Sequence, residues 1–185
     1  DHIYHCTYFI DGKIYFTRSS DQFDSIHELF KTSEILDTVS NEWHSKTEAI
    51  EKNKPNISGW PIMSNLLAAV AEIDRKIYVA GGENGYGNVL DNLETYDEKL
   101  QEWISLTRMT KPRAGAGCCT LHGKIYVIGG HDFDNNFLND GEYYDPKTDR
   151  WTQIAPMTMK RNHPTTRSLN GLIYVIGGRE IRSSQ

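Results

Sequence analysis

One short pattern, an apolar run that ends in Gly-Gly, occurs three times at even spacing. It reads Ile-Tyr-Val-Ala-Gly-Gly at residues 77–82 and Ile-Tyr-Val-Ile-Gly-Gly at residues 125–130 and 173–178. The interval from Gly82 to Gly130 equals the interval from Gly130 to Gly178. A fixed period of about 20 to 50 residues indicates a repeat architecture. We therefore expect the chain to stack copies of one supersecondary unit.

A second pattern keeps the same period. Glu-Thr-Tyr-Asp at 94–97 precedes Trp103, and Glu-Tyr-Tyr-Asp at 142–145 precedes Trp151. A weaker copy, Glu-Ile-Leu-Asp at 34–37, precedes Trp43, and the apolar run upstream of it lacks the Gly-Gly. This first copy also departs from the period, because the interval from Tyr15 to Tyr78 is longer than the one between the later copies. The sequence therefore contains two clear repeats, a degraded one before them and the start of another after them.

An apolar run ending in Gly-Gly, followed by Tyr and then by Trp seven positions later, resembles the kelch repeat, here of the intracellular BTB-kelch type. The resemblance covers residues 3–178, nearly the whole chain. It implies an all-β kelch β-propeller built from four-stranded antiparallel blades, with about three and a half blades present. The expected repeats are residues 2–46, 64–107, 112–155 and 160–185, the last incomplete, with an insertion loop at 47–63. Because propellers usually need about four to eight blades to close, we expect the chain to be a fragment of a longer protein.

Each repeat has the local signals of a blade. In the clearest repeat we expect strand a at Ala114–Leu121, strand b at Lys124–Ile128, strand c at Asp140–Asp145 and strand d from Trp151. Strands a and b are joined by His-Gly, Asn-Gly or Asp-Gly in three repeats, which favours a two-residue hairpin turn. Aromatic residues that recur at fixed positions are expected to pack between blades. These are Tyr78, Tyr96, Trp103, Tyr126, Tyr144, Trp151 and Tyr174.

The composition argues against several classes of protein. A formal net charge of −5 offers no basic footprint for nucleic acid. The longest apolar stretch, at residues 66–71, is far too short to span a bilayer. The three cysteines have no C-x-x-C spacing, and Cys118 and Cys119, adjacent on a strand, would point to opposite faces. We therefore expect a reduced, cytoplasmic protein that contacts neither nucleic acid nor membrane.

Catalysis has little support in the sequence. No nucleophile and base stand at a recognisable spacing, and no pair of histidines has a regular ligand spacing. Asp132 and Asp134 are reminiscent of a calcium loop, but the required Gly and terminal Glu are missing. We therefore predict no enzyme activity, no catalytic or metal-binding residues and no cofactor.

Loops b–c and d–a should emerge at the same edge of each blade, and their sequences differ between repeats. Variable loops on a rigid scaffold are where binding residues concentrate. Aromatic and basic side chains on them suit a peptide with acidic residues beside an apolar one. The alternative for Arg113 and Arg161 is an ion pair with Glu94 and Glu142 inside the stacked sheets. The candidate partner-binding residues are Tyr86, Arg108, Lys111, Arg113, His131, Phe133, Phe137, Lys160, Arg161 and His163.

The resemblance also implies a function. It favours a protein–protein interaction module, the substrate-recognition propeller of a kelch-like ubiquitin-ligase adaptor. The expected partner is a substrate or cytoskeletal protein at the loop face, with a cullin ligase reached through BTB and BACK domains that this sequence does not include. An actin-binding kelch protein is one alternative. A fragment of a kelch-propeller enzyme, an oxidase or isomerase, is the other.

Overall fold

The structure, a computed structural model, describes residues 3–10, 13–20, 34–37, 42–45, 67–84, 86–97, 100 and 102–180. These residues contain fourteen β-strands, β1 to β14, and no helix. The chain divides into two compact units, which we describe separately. The first comprises Asp1–Ser64 with Glu98–Glu102, and the second comprises Asn65–Asp97 with Trp103–Gln185.

The first unit contains one antiparallel sheet, whose strands in order are β1 (Ile3–Ile10), β2 (Lys13–Ser20), β3 (Glu34–Asp37) and β4 (Glu42–Ser45). Its register opposes Tyr15 to Ile35 and Leu36 to Trp43. The degraded first repeat therefore forms a complete four-stranded sheet, as expected, although it lacks the Gly-Gly. The predicted insertion loop at 47–63 lies outside the described residues.

Ten further strands form two four-stranded sheets and one two-stranded sheet, all antiparallel. The predicted all-β fold class is confirmed, because the described strands form four-stranded antiparallel sheets, as expected of propeller blades, with a two-stranded sheet at the end. The second sheet contains β5 (Ala69–Ile73), β6 (Lys76–Ala80), β7 (Leu93–Asp97) and β8 (Glu102–Ser105). The third contains β9 (Gly117–Leu121), β10 (Lys124–Ile128), β11 (Gly141–Asp145) and β12 (Arg150–Gln153), and the fourth contains β13 (Thr165–Leu169) and β14 (Leu172–Ile176).

The first hairpin of each of these sheets has the predicted turn. Its two central residues have positive φ: 51° and 62° at Asp74 and Arg75, and 50° and 69° at His122 and Gly123. A type I′ turn requires this conformation at both positions because its twist matches that of the strands. Arg75 adopts it despite its Cβ, at a steric cost that Gly avoids.

Some predicted strand limits were wrong by a few residues. Strand a of the third sheet begins at Gly117 instead of Ala114. The reason is Gly115, whose φ of 62° interrupts an extended backbone. Strand c begins at Gly141, one residue later than predicted, and strand d begins at Arg150, one residue before Trp151.

The core lies between successive sheets of the second unit. Ile125, Val127 and Tyr144 of the third sheet are buried, and the Tyr144 ring lies 6.2 Å from that of Tyr78 in the second sheet. Among the recurring aromatic residues, Tyr174 departs from the predicted core position, since it is 43% exposed. In the part of the chain that the structure describes, no third strand follows β14 to cover it.

Candidate functional site

Four described loops meet at one edge of the second and third sheets, and we call this edge the loop face. Antiparallel pairing places the end of strand d beside the start of strand c, so each d–a loop lies against the b–c loop of its own sheet. Met109 N–H donates to Asp91 O at 2.8 Å, and Met157 N–H donates to Asn139 O at 2.7 Å. The four loops are residues 81–92, 106–116, 129–140 and 154–164.

The Gly-Gly pairs let loops of adjacent sheets touch. Gly129 and Gly130 have φ of 71° and 90°. A Cβ added at Gly129 would lie 2.5 Å from Arg161 O, and one at Gly130 would lie 2.4 Å from Ala114 O. Gly130 N–H also donates to Arg161 O at 2.8 Å. The repeated Gly-Gly therefore permits close backbone contact at the loop face, because neither residue has a Cβ.

An Asn or Asp side chain closes each b–c loop from inside. Asn84 Oδ1 accepts hydrogen bonds from the backbone N–H of Tyr86 and of Asn88, both at 3.0 Å. Asp132 Oδ1 does the same one repeat later, accepting from Asp134 and Asn136. Partial burial would raise the pKa of Asp132, but hydrogen bonds from Asn136 and Asp134 lower it below its ordinary value. Side-chain bonds of this kind hold a turn in one conformation.

These closed loops present aromatic side chains to solvent. Tyr86 is 91% exposed and Phe133 is 63% exposed. Phe137 differs, because it pairs with His131 in an isolated β-bridge and is half-buried. Large exposed aromatic residues on fixed loops are costly to leave in water and are typical anchors of protein interfaces.

Carboxylates neutralise two of the candidate cations. Arg108 forms an ion pair with Asp91 at 2.9 Å, and Lys111 contacts Asp140. Burial would raise the pKa of Asp140, but the hydrogen bond and charge of Lys111, with Arg113, lower it below its ordinary value. Lys160 is exposed and has no ion pair among the described residues. The loop face therefore carries less unpaired positive charge than its number of basic residues suggests.

Arg113 lies inside the stack of sheets, with 2% of its surface exposed. Its guanidinium contacts Glu142 Oε1 at 3.4 Å, Asp140 Oδ1 at 3.3 Å and Gly129 O at 3.1 Å. Arg113 therefore forms an ion pair inside the stacked sheets, which was the expected alternative to a role in partner binding. Arg161, at the same position one repeat later, is half-buried and donates to the carbonyl of Gly177.

Glu94 shows what happens where the arginine is missing. The residue one repeat before Arg113 is Asn65, which carries no charge. Glu94 is 5% exposed, and its Oε2 has no hydrogen-bond partner among the described residues. Burial raises the pKa of Glu94, an effect that a hydrogen bond with Asn92 only partly offsets. The expected ion pair therefore forms at Glu142 and not, within the described residues, at Glu94.

Two histidines lie where the loops converge. His131 is 5% exposed, with Nε2 2.8 Å from Glu83 Oε1 and Nδ1 3.1 Å from Asn162 Oδ1. The exposed His163 has its ring 6.4 Å from that of His131. Desolvation lowers the pKa of His163, and the charges of His131 and Arg179 lower it further. His131 is therefore a buried connector, whereas His163 faces solvent.

Sequence reasoning did not assign roles to the partners of these residues. Glu83 and Asn162 complete the histidine contacts, and Asp91 and Asp140 neutralise the loop cations. One signal was available for Glu83, because it occupies the repeat position of His131, directly after Gly-Gly. The other partners become evident only once the loops are folded against each other.

The described residues offer little for chemistry. They include no group of three or more His, Cys, Asp or Glu side chains placed to hold a metal ion. Burial raises the pKa of Cys118, and it raises that of Cys119 to about 11. Thiols held in the neutral form are poor nucleophiles. The described residues include no helix that could span a membrane.

Successive four-stranded antiparallel sheets joined through their loop edges define a partial β-propeller. A family model, the Kelch motif, matches residues 66–110 and 112–158, which supports a kelch-repeat family for this chain. Such repeats are generally protein interaction modules.

Two curated proteins are similar over part of the chain. Beta-scruin of Limulus polyphemus is 32% identical over 54 residues, which are 29% of this chain and 6% of that protein. The F-box/kelch-repeat protein SKIP11 of Arabidopsis thaliana is 34% identical over 93 residues, 50% of this chain and 16% of that protein. The chain thus matches less than a fifth of the length of either relative.

Proposed function

We propose that this chain is a non-enzymatic binding module that takes a protein partner at its loop face. The observation that carries the proposal is the exposure of Tyr86 and Phe133 on loops closed by Asn84 and Asp132. Rigid loops lose little conformational entropy on binding, and aromatic side chains provide large contact areas.

The partner's chemistry follows from the charges around these aromatic residues. Arg108 and Lys111 already have carboxylate partners, and Arg113 is buried. Exposed paired charges contribute little affinity, whereas apolar anchors in an interface contribute most of it. The best-fitting partner presents an apolar pocket or side chain to the aromatic residues, with an acidic group near Lys160 that guides the encounter.

We further propose that the complete protein is a cytoplasmic adaptor that brings this partner to a ubiquitin ligase. The resemblance to BTB-kelch adaptors supports this proposal, as does the similarity to a protein that joins an F-box to kelch repeats. A cullin would then bind through segments other than the loops described above.

The test is quantitative affinity purification of the full-length protein from its own cells, comparing wild type with a Tyr86→Ala/Phe133→Ala variant. We expect the variant to lose the partners held at the loop face while keeping any cullin. The matched control is Lys147→Ala, an exposed residue in the turn between β11 and β12, at the opposite edge of the sheet. If the aromatic variant captures the same partners as wild type, the loop face is not the binding site. Absence of a cullin from every sample would contradict the adaptor role alone.

A further inference from the structure

Three side chains form a hydrogen-bonded link across three consecutive sheets. Glu83 follows β6, His131 follows β10 and Asn162 precedes β13. The imidazole of His131 contacts the Glu83 carboxylate at 2.8 Å and the Asn162 amide at 3.1 Å. A carboxylate can only accept, so Nε2 of His131 donates to Glu83. The amide of Asn162 offers both a donor and an acceptor to the other ring nitrogen.

The backbone places His131 at the junction of these sheets. Its N–H and C=O exchange two hydrogen bonds with Ala114, at 2.9 and 3.0 Å. Asn162 exchanges two in the same way with Arg179, at 3.0 and 2.6 Å. The imidazole is thus held from both sides and is 6% exposed. A buried polar group with all its hydrogen bonds satisfied favours one arrangement over its alternatives.

The link joins the two loops that carry the exposed aromatic residues. Glu83 opens the loop that ends at its bridge partner Val89 and carries Tyr86. His131 opens the loop that ends at its bridge partner Phe137 and carries Phe133. Hydrogen bonds within each loop fix its own shape. The backbone of residues 113–114 bonds to both loops, and the bond between Glu83 and His131 is a direct side-chain contact from one loop to the other.

We propose that His131 is a positioning residue that holds the Tyr86 and Phe133 loops at one separation through Glu83 and Asn162. Its effect on affinity rests on the proposed function, because a fixed separation matters only if both aromatic residues bind one partner. A partner that contacts both then avoids the entropy cost of ordering them. Loss of the link should weaken binding roughly tenfold, on the scale of immobilising one flexible group.

The separation can be measured without knowing the partner. The aromatic amino acid p-acetylphenylalanine is incorporated at positions 86 and 133 of the chain and coupled to nitroxide spin labels, which leaves the cysteines untouched. Double electron–electron resonance then gives the distribution of label distances. We expect a narrow distribution in the otherwise wild-type protein and a clearly broader one in His131→Asn and Glu83→Ala. The control is His122→Asn, an exposed histidine at the far edge of the third sheet, where Asn suits the positive φ of 50°.

The outcomes separate the two proposals. Narrow distributions in both His131→Asn and Glu83→Ala would overturn the positioning role. If thermal melts show that His131→Asn is unfolded, Glu83→Ala decides, because Glu83 is the more exposed end of the link. For partners lost in the Tyr86→Ala/Phe133→Ala experiment, His131→Asn should lower affinity at temperatures where thermal melts show that the variant is folded. Broadened distances with unchanged affinity would overturn its effect on binding. If the aromatic variant itself keeps every partner, the proposed function fails and the distance measurement still decides whether His131 positions the loops.

Discussion

Glu94 and Glu142 occupy the same position in consecutive repeats, yet their replacement by glutamine should change stability in opposite directions. Glu142 is fully buried, accepts a hydrogen bond from Thr110 N–H at 3.0 Å and lies 3.4 Å from the Arg113 guanidinium. Glu94 is also buried, but its Oε2 has no hydrogen-bond partner among the described residues. The same substitution therefore breaks an ion pair at one site and relieves an unfavourable buried charge at the other.

The magnitudes follow from what each site loses. Glu142→Gln leaves a buried guanidinium without one of its two carboxylate partners, a change that costs about 3 kcal/mol of unfolding free energy. Asp140, 3.3 Å from Arg113, keeps the loss from being larger. Glu94→Gln removes a desolvated carboxylate and should stabilise the fold by about 1 kcal/mol.

The pH dependence of Glu94→Gln provides a second check. In the folded protein the pKa of Glu94 is raised above its ordinary value of 4.5. The stability contributed by the protonated carboxyl is therefore fully present below the unfolded pKa and is lost as pH rises through the folded pKa. Because glutamine does not titrate, Glu94→Gln should be more stable than wild type at about pH 7 but not at about pH 4.

Urea unfolding followed by tryptophan fluorescence measures both variants, with Asp134→Asn on an exposed loop as the isosteric control. We expect the midpoint to fall for Glu142→Gln, to rise for Glu94→Gln and to stay constant for the control. Shifts of the same sign for the two glutamates would refute the assignment of Arg113 as the difference between them. An advantage of Glu94→Gln that persists at low pH would show that charge burial is not its cause.

Three further predictions test the assignment of scaffold and loop residues. Trp151→Ala should lower the unfolding free energy by about 3 kcal/mol, because the Trp151 ring packs 5.3 Å from that of Tyr144. Phe133→Ala should change the unfolding free energy by less than about 0.5 kcal/mol, and thermal melts in the reverse order would contradict this prediction. Tyr144→Phe removes the hydrogen bond that the Tyr144 hydroxyl donates to Asp149 Oδ1 at 2.8 Å. It should lower the unfolding free energy by about 1 kcal/mol and raise the pKa of Asp149. A carboxyl NMR titration that showed no change in this pKa would contradict the prediction. Gly129→Ala should lower the unfolding free energy by more than about 1 kcal/mol, because the positive φ and the close backbone contact of Gly129 leave no room for a Cβ. An unchanged melting temperature would show that glycine is not required at this position.

Most of the fold could be predicted from local sequence because the signals that specify a blade act over a few residues. Asn-Gly and related pairs favour the hairpin turn, the apolar run specifies strand b, and the constant repeat period gives the number of sheets. The degraded first repeat departs from the period, but it keeps the Asp-Gly pair between strands a and b and the spacing from Glu34 to Trp43. Strand limits failed where tertiary contacts intervene, as at Gly115, whose N–H donates to Leu67 O, one repeat earlier in the chain.

The candidate site was predictable only in outline. Alternation of strands and loops identified the edge where Tyr86 and Phe133 emerge, because antiparallel pairing alone determines which loops share an edge. The sequence could not distinguish free cations from paired ones. Lys111 and Asp140, for example, come together only after a strand hairpin has folded between them.

The strands of the repeating unit, its turns and the edge that bears its variable loops follow from the amino-acid sequence alone. The environment of equivalent residues becomes evident only when the strands and loops are packed together. Glu94 and Glu142 have matching local sequences, but Glu142 contacts Arg113. The Oε2 atom of Glu94 has no hydrogen-bond partner among the described residues. The physical reason is that burial and charge pairing depend on the neighbouring sheet, whereas turn and strand preferences depend on the backbone nearby.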